Sequence, residues 1–175
     1  MAILPDAAKA YIGVQAEDEI ACDTVERGAV RRYAQAIMDD DPIYWQDGTA
    51  SARYGGPVAP ALFPTHMFRR PFGTPDPVRE NASNPHYDGS TKVRGGLPEI
   101  EPLKDFSVMN GGSEIEFYRY ARHGETVKLR ARYVDIIEKQ SSKGPLILII
   151  SETDYLNGDD ELLMRARHTR IRRRV

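Results

Sequence analysis

The spacing of hydrophobic positions changes along the chain, from a helical period near the N-terminus to strict alternation in the last third. Within residues 25–40, apolar side chains recur three and four positions apart, at Val30, Tyr33, Ala34, Ile37 and Met38. This spacing predicts one amphipathic helix. Pro42 is expected to end the helix, because a proline disfavours helical geometry in the residue before it.

Most of the last third of the chain alternates as half-buried β-strands do, whereas "PLILIISETDYL" is apolar on both faces at first, as in a central strand. Turn sequences such as "NGDD" separate the alternating segments and are typical of hairpins. The pattern predicts an antiparallel meander of four consecutive strands, over residues 113–121, 126–140, 145–156 and 161–173. An earlier strand between Tyr11 and Ile20 is expected to extend this sheet.

The segments between these elements indicate a single domain over residues 1–175, because the chain contains no internal repeat and no linker. Residues 71–102 are rich in proline, glycine, asparagine and aspartate, and they predict a long irregular loop that does not pack tightly. The order helix, loop, meander indicates an α+β fold in which an antiparallel sheet wraps around one central helix.

Composition and charge exclude several classes of protein. The 175 residues are 41% hydrophobic and 29% charged, as in globular domains, and no apolar run is long enough to span a membrane. No signal peptide is evident. The single cysteine, Cys22, excludes an internal disulfide and favours a cytoplasmic location. A net charge of −2 gives no general attraction to nucleic acid. The arginine-rich segment 165–174 has two interpretations, an anion-binding site or a solvated terminal strand.

Three stretches of the sequence resemble MaoC-like hydratases, in particular the branch known as the fungal-synthase-like dehydratase N-terminal domain. They are "GAVRRYAQAIMDDDPIYWQDGTASARYGGPVAPALF", "GGSEIEFYRYARHGETVKLRARYVDI" and "SETDYLNGDDELLMRARHTRIRR". The resemblance covers roughly Val25 to Arg173 and is weakest in the long loop. It implies a hot-dog fold and the reversible addition of water to an enoyl thioester of coenzyme A or of an acyl carrier protein.

The catalytic motif of that family resembles Gly-Asp-x-Asn-Pro-(aliphatic)-His. On this chain Asp39 takes the place of the aspartate and Tyr44 takes the place of the histidine. A phenol with an ordinary pKa of about 10 is a poor base near neutrality, and neighbouring carboxylates raise its pKa further. Tyr44 is therefore expected to line the substrate pocket and to donate a hydrogen bond. The three aspartates 39–41 face the negative end of the helix dipole, so we expect them to have a cationic partner.

The broken motif leaves three hypotheses for function. The leading one is a degenerate subunit of an enoyl-thioester hydratase or 3-hydroxyacyl dehydratase, which supplies the fold and part of the acyl pocket to a homologous catalytic hot-dog subunit. The second is a self-sufficient homodimer that uses Asp39 and another proton donor, for which His66 is the best candidate. The third is a non-catalytic protein that binds acyl thioesters.

The resemblance also implies further site residues. The segment "YGGPVAP" corresponds to the part of the family whose backbone amides hold the thioester carbonyl, and it contains Gly55, Gly56, Val58 and Ala59. Small residues allow N–H groups to approach an oxyanion closely, although Gly-Gly-Pro is also common in ordinary loops. No spacing of histidines with carboxylates suggests a metal site. No cofactor is expected apart from the coenzyme A or carrier in the substrate.

Overall fold

A five-stranded antiparallel sheet forms the centre of the computed structural model, which describes residues 3–68, 73–86 and 94–174. The strands are β1 (Glu19–Ile20), β2 (Ser107–Phe117), β3 (Val127–Ser141), β4 (Gly144–Asn157) and β5 (Leu162–Arg173). The helices are α1 (Asp6–Lys9), α2 (Arg27–Ala36), α3 (Asp47–Tyr54) and α4 (Pro77–Glu80). Short 3₁₀ turns lie at Pro42–Tyr44, Phe63–His66, Arg94–Gly96 and Glu101–Leu103.

The sheet order is β1-β3-β4-β5-β2, which corrects the predicted meander of four consecutive strands. Strands β3, β4 and β5 do form a meander, but β2 pairs with β5 and not with β3. The segment after β2 is not a tight hairpin turn, because its backbone pairs with other segments on the way to β3. The N–H of Ala59 donates to the carbonyl of Ala121 at 2.8 Å, and that of Val25 donates to Glu125 at 2.9 Å.

Helix α2 packs its buried side chains against the inner face of the sheet. Val30 and Ala34 are buried in the same core as alternate residues of the strands, including Val127, Leu129 and Ala131. The apolar spacing therefore identifies the packing face of the helix correctly over its first turns. None of the helices in the described ranges is long and apolar enough to cross a membrane.

The helix ends earlier than Pro42 would require. Met38 adopts a left-handed backbone conformation, with φ of +57°. The N–H of Asp39 then donates to the carbonyl of Ala34 at 3.0 Å, and the N–H of Met38 donates to that of Gln35 at 3.2 Å. This pair of bonds is the Schellman arrangement that commonly closes helices. Ile37 and Met38 are consequently exposed and do not extend the buried stripe, Met38 being 92% exposed.

The predicted long loop packs more tightly than its composition suggests. Leu97 and Ile100 are buried in the main core. Proline and glycine mark this segment as irregular, but these two apolar side chains anchor its end. The parts of the predicted loop at 71–72 and 87–93 lie outside the described residues.

Gly95 allows this segment to approach strand β3. Its φ is +76°, and a Cβ atom there would lie 2.8 Å from both the Ala131 Cβ and the Leu129 Cδ2. We expect Gly95→Ala to lower the free energy of unfolding in urea by about 2 kcal/mol, since backbone strain and overpacking each cost about 1–3 kcal/mol. Gly13→Ala is the matched control, because Gly13 has a φ of +84° and no atom near the added Cβ. Equal losses in the two variants would contradict a steric contribution at Gly95.

Candidate active site

The site begins where α2 ends. The Schellman turn at Met38 directs the Asp39 backbone against the last helical turn and leaves its carboxylate half-buried beside a cavity. A non-glycine residue in the left-handed region costs about 1–2 kcal/mol, and such strain is concentrated at functional sites. The local fold thus holds Asp39 in one position relative to the residues that follow.

The neighbouring aspartates are held by hydrogen bonds from the chain itself. The Asp41 carboxylate accepts from the N–H of Ile43 at 3.0 Å and so caps the 3₁₀ turn Pro42–Tyr44. The Asp39 carboxylate accepts from the N–H of Asp41 at 3.3 Å. Backbone amides therefore stabilise the carboxylates of Asp39 and Asp41. Among the residues that the structure describes, neither carboxylate has the arginine or lysine partner that the helix dipole suggested.

Tyr44 donates a hydrogen bond to Asp39. The distance from its hydroxyl oxygen to Oδ2 of Asp39 is 2.7 Å, and the side chain of Tyr44 is buried. Burial raises the pKa of Tyr44 well above its ordinary value, and the bond to Asp39 and the charge of that carboxylate raise it further. The phenol consequently stays protonated at neutral pH and acts as a donor, as the sequence suggested.

A cavity of about 790 Å³ lies along α2 and ends at the Asp39–Tyr44 pair. Besides this pair, its lining residues include Arg27, Arg31, Ala34 and Trp45. Arg27 and Arg31 are one helical turn apart, so they share a face of α2. These arginines were not among the predicted site residues, although their spacing of four along a helix that leads into the motif was a signal for them. The cavity therefore has an acid–phenol pair at one end and cationic side chains at the other.

The glycine-rich segment lies near the motif but does not line this cavity. The N–H of Val58 donates to the carbonyl of Ile43 at 3.1 Å, and the N–H of Ala59 is also bonded within the protein. Gly55 and Gly56 both have positive φ, of 74° and 142°. The amides of Val58 and Ala59 are therefore occupied by carbonyls of the protein itself. Neither of these two amides is available to the thioester carbonyl that this segment is predicted to hold.

The histidines lie in different environments. His66 is exposed, and its ring packs edge-on against Tyr33, with the ring centroids 4.7 Å apart. His66 is not among the residues that line the cavity beside Asp39. Burial lowers the pKa of His123, and the nearby charge of Arg27 lowers it further, so this imidazole is neutral near pH 7. Its buried Nε2 has no hydrogen-bond partner among the described residues.

The geometry limits the chemistry of the pair. Reversible hydration needs a base to activate water and a proton for the carbon next to the thioester. Asp39 supplies a carboxylate, but the group bonded to it is a phenol that retains its proton. Within the described ranges, no three His, Cys, Asp or Glu side chains gather in a way that suits a metal ion.

The helix packed on an antiparallel sheet, together with the acidic motif at the helix end, defines a hot-dog protein of the hydratase and dehydratase class. The chain belongs to the FAS1-like dehydratase domain family, whose model matches residues 10–166. The predicted MaoC-like relationship and the predicted α+β hot-dog fold are confirmed. The match begins before Val25, so the family similarity includes more of the N-terminal segment than the quoted motifs did.

Solved structures share this fold at low sequence identity. A chain of the ChsH1–ChsH2 complex from Mycobacterium tuberculosis superposes with a TM-score of 0.68 and 22% identity, over 94% of this chain and 85% of that one. A MaoC-like dehydratase from Rhodospirillum rubrum superposes with a TM-score of 0.59 and 17% identity, over 94% of this chain and 93% of that one. A chain of the HadBC (3R)-hydroxyacyl-ACP dehydratase complex from M. tuberculosis superposes with a TM-score of 0.55 and 17% identity, over 92% of this chain and 96% of that one. No curated protein matches the chain.

Proposed function

We propose that this chain is one subunit of an enoyl-thioester hydratase or 3-hydroxyacyl dehydratase, and that a homologous hot-dog partner supplies the catalytic Asp–His pair. The observation that carries the proposal is the hydrogen bond of 2.7 Å from the Tyr44 hydroxyl to the Asp39 carboxylate. This contact puts a donor that keeps its proton where the reaction requires a group that exchanges protons near neutral pH. The chain therefore needs a second source of acid–base catalysis.

The residues of this chain have a structural part in the proposed reaction. Tyr44 closes one end of the cavity and, together with the amide of Asp41, holds the Asp39 carboxylate in place. Ala34 and Trp45 provide apolar wall for an acyl chain. The substrate in this proposal is an acyl thioester, and coenzyme A or an acyl carrier is part of that substrate rather than a bound cofactor.

Two of the structural relatives support a homologous partner. The ChsH1–ChsH2 and HadBC structures are complexes, and HadBC is a (3R)-hydroxyacyl-ACP dehydratase. A subunit that keeps the fold and the cavity but carries tyrosine at the histidine position suits an arrangement of this kind. The same arrangement explains why the cavity is retained although its acid–base pair is changed.

The activity of the purified chain tests the proposal. The chain alone is expected to leave an enoyl-CoA unchanged, whereas the complex purified with its homologous subunit from the native host is expected to hydrate it. Loss of the ultraviolet absorbance of the conjugated thioester measures the reaction. Vigorous turnover by the chain alone would contradict the dependence on a partner and would favour a self-sufficient homodimer.

The cavity itself favours a second candidate function, the binding of acyl thioesters without catalysis. A space of about 790 Å³ lies within the range of about 300–1,000 Å³ typical of small-molecule sites. Calorimetry distinguishes the two functions, because a pure binder would take up an acyl-CoA without turnover even when the homologous subunit is present.

A further inference from the structure

The face of the sheet that points away from the core carries charges in an alternating pattern. Each of four neighbouring strands presents two side chains of the same sign, two positions apart. They are Arg130 and Arg132 on β3, Glu152 and Asp154 on β4, Arg165 and Arg167 on β5, and Glu114 and Glu116 on β2.

The strand register aligns these side chains into two rows. In one row Arg132 lies opposite Glu152, which lies opposite Arg167, which lies opposite Glu114. The second row has the same signs in the order Arg130, Asp154, Arg165, Glu116. Opposite charges on neighbouring strands stabilise a sheet and like charges destabilise it. The sign therefore alternates at every step from β3 to the edge strand β2.

The glutamates of β2 form no ion pair with any residue that the structure describes. The guanidinium groups of β5 turn toward β4, where Arg165 bonds Asp154 at 2.6 Å and Arg167 bonds Glu152 at 3.0 Å. Glu116 accepts a hydrogen bond from the hydroxyl of Tyr118. Across the part of the chain that the structure describes, neither Glu114 nor Glu116 has a cation within ion-pair distance. The alternation thus ends at β2 on two negative charges.

Strand β2 is a long edge that is interrupted by one bulge, between Asn110 and Gly112. Its open side exposes backbone groups over 11 residues, and edge strands of soluble proteins are commonly blocked by bulges, lysine, proline or short length. The strand sequence, "SVMNGGSEIEF", contains no lysine, arginine or proline. Val108 is 56% exposed and Phe117 is 52% exposed. These features are those of an edge that another strand covers in an assembly.

We propose that the β2 edge pairs with an edge strand of the partner subunit that presents lysine or arginine opposite Glu114 and Glu116, so that the charge alternation continues across the subunit boundary. The proposal rests on the proposed function, because it specifies the partner subunit by the charge of its strand. A second copy of this chain does not meet the requirement, since its own β2 supplies no cation in any register. The two glutamates thereby select a heteromeric partner over self-association.

The test creates a complementary edge within the same protein. The double variant Glu114→Lys, Glu116→Lys carries the charges that the partner strand is expected to carry. We expect wild type and this variant to form a mixed dimer at least tenfold more tightly than either forms a dimer with itself. One of the two proteins is extended by a tag, so that native mass spectrometry and sedimentation separate the mixed dimer from the two self-dimers. The preference for the mixed dimer should fall as added salt screens the charges.

The control is the double variant Glu17→Lys, Glu80→Lys, which makes the same change of charge at two other exposed glutamates. It is expected to show no preference for wild type. Absence of a mixed dimer, an equal preference with the control, or a tighter wild-type self-dimer would each overturn the proposal. If the double variant does not fold, as judged by circular dichroism, Glu116→Lys alone replaces it. Because this experiment measures association and not hydration, its failure is distinguishable from failure of the proposed function.

Discussion

Replacing Tyr44 with histidine is expected to give the purified chain an enoyl-CoA hydratase activity about 100-fold above that of wild type. General acid–base groups typically contribute about 10²–10⁴-fold to a rate, and the lower end suits a site that has not been optimised for catalysis. The expected gain depends on the position of residue 44. The introduced imidazole would lie five residues after Asp39, at the place from which the Tyr44 hydroxyl now donates to the Asp39 carboxylate at 2.7 Å. A group with an ordinary pKa near 6.5 would replace one that does not titrate near neutrality.

Two companion variants show whether the gain comes from proton transfer. Tyr44→Phe keeps the ring and removes the hydroxyl, so it should free the Asp39 carboxylate without adding a base and should show no gain. Asp39→Asn combined with Tyr44→His keeps the imidazole and removes the carboxylate, so the gain should disappear. The activity of Tyr44→His should also rise through a single ionisation near pH 6–7, as expected for an imidazole. Equal activity of Tyr44→Phe and Tyr44→His would contradict the proposed defect in the motif.

The sequence predicted the local elements of this fold better than their arrangement. Strands β3, β4 and β5 lie within one or two residues of the predicted segments. The inner and outer faces of β3 differ in burial, whereas the central strand β4 was marked by its apolar run and by the turn signals on either side. The place of β2 could not be predicted in the same way. A strand that is exposed on both faces at the edge has no periodicity that indicates its neighbour, and hairpin turns favour pairing with the next strand along the chain.

One contact of the predicted site followed from a covalent spacing, whereas contacts between residues distant in sequence could not be predicted. The five-residue separation of Asp39 and Tyr44 made their contact predictable once the family motif was aligned. The end of α2 at Met38 was not predictable, because methionine rarely adopts a left-handed conformation and no glycine marks the position. The amides of Val58 and Ala59 donate to carbonyls of residues that are distant in the sequence, so these hydrogen bonds could not be predicted from it.

The arginine-rich end of the chain shows how tertiary structure decides between two interpretations of one composition. Its residues form strand β5, as the terminal-strand interpretation required. Arg165 and Arg167 are not simply solvated, however, because they pair with acidic residues of β4. Arg172 donates to the carbonyl of Phe106 at 3.0 Å. Like-charged residues two positions apart indicate one face of a strand, but only the register shows that they meet opposite charges.

Glu152→Ala is expected to cause the largest loss of stability, about 3 kcal/mol in urea unfolding and a fall in Tm of roughly 6–12 °C. Glu152 is only 3% exposed, and Arg132, Arg165 and Arg167 all pair with its carboxylate. Removing a buried partner leaves the remaining charges uncompensated, which costs about 3–5 kcal/mol. The lower value applies because the three guanidinium groups are partly in contact with solvent.

An exposed pair provides the matched control. Glu101 is 63% exposed and lies 3.6 Å from Lys104, which is 58% exposed, so Glu101→Ala should cost less than about 1 kcal/mol. A double-mutant cycle separates charge from packing. Arg167→Ala should destabilise wild type, but it should be neutral or stabilising in the Glu152→Ala background, because there it removes one of three like charges that repel each other. If Arg167→Ala cost the same in both backgrounds, Glu152 would act through packing alone, and ion pairs at Glu152 would not hold β3, β4 and β5 together.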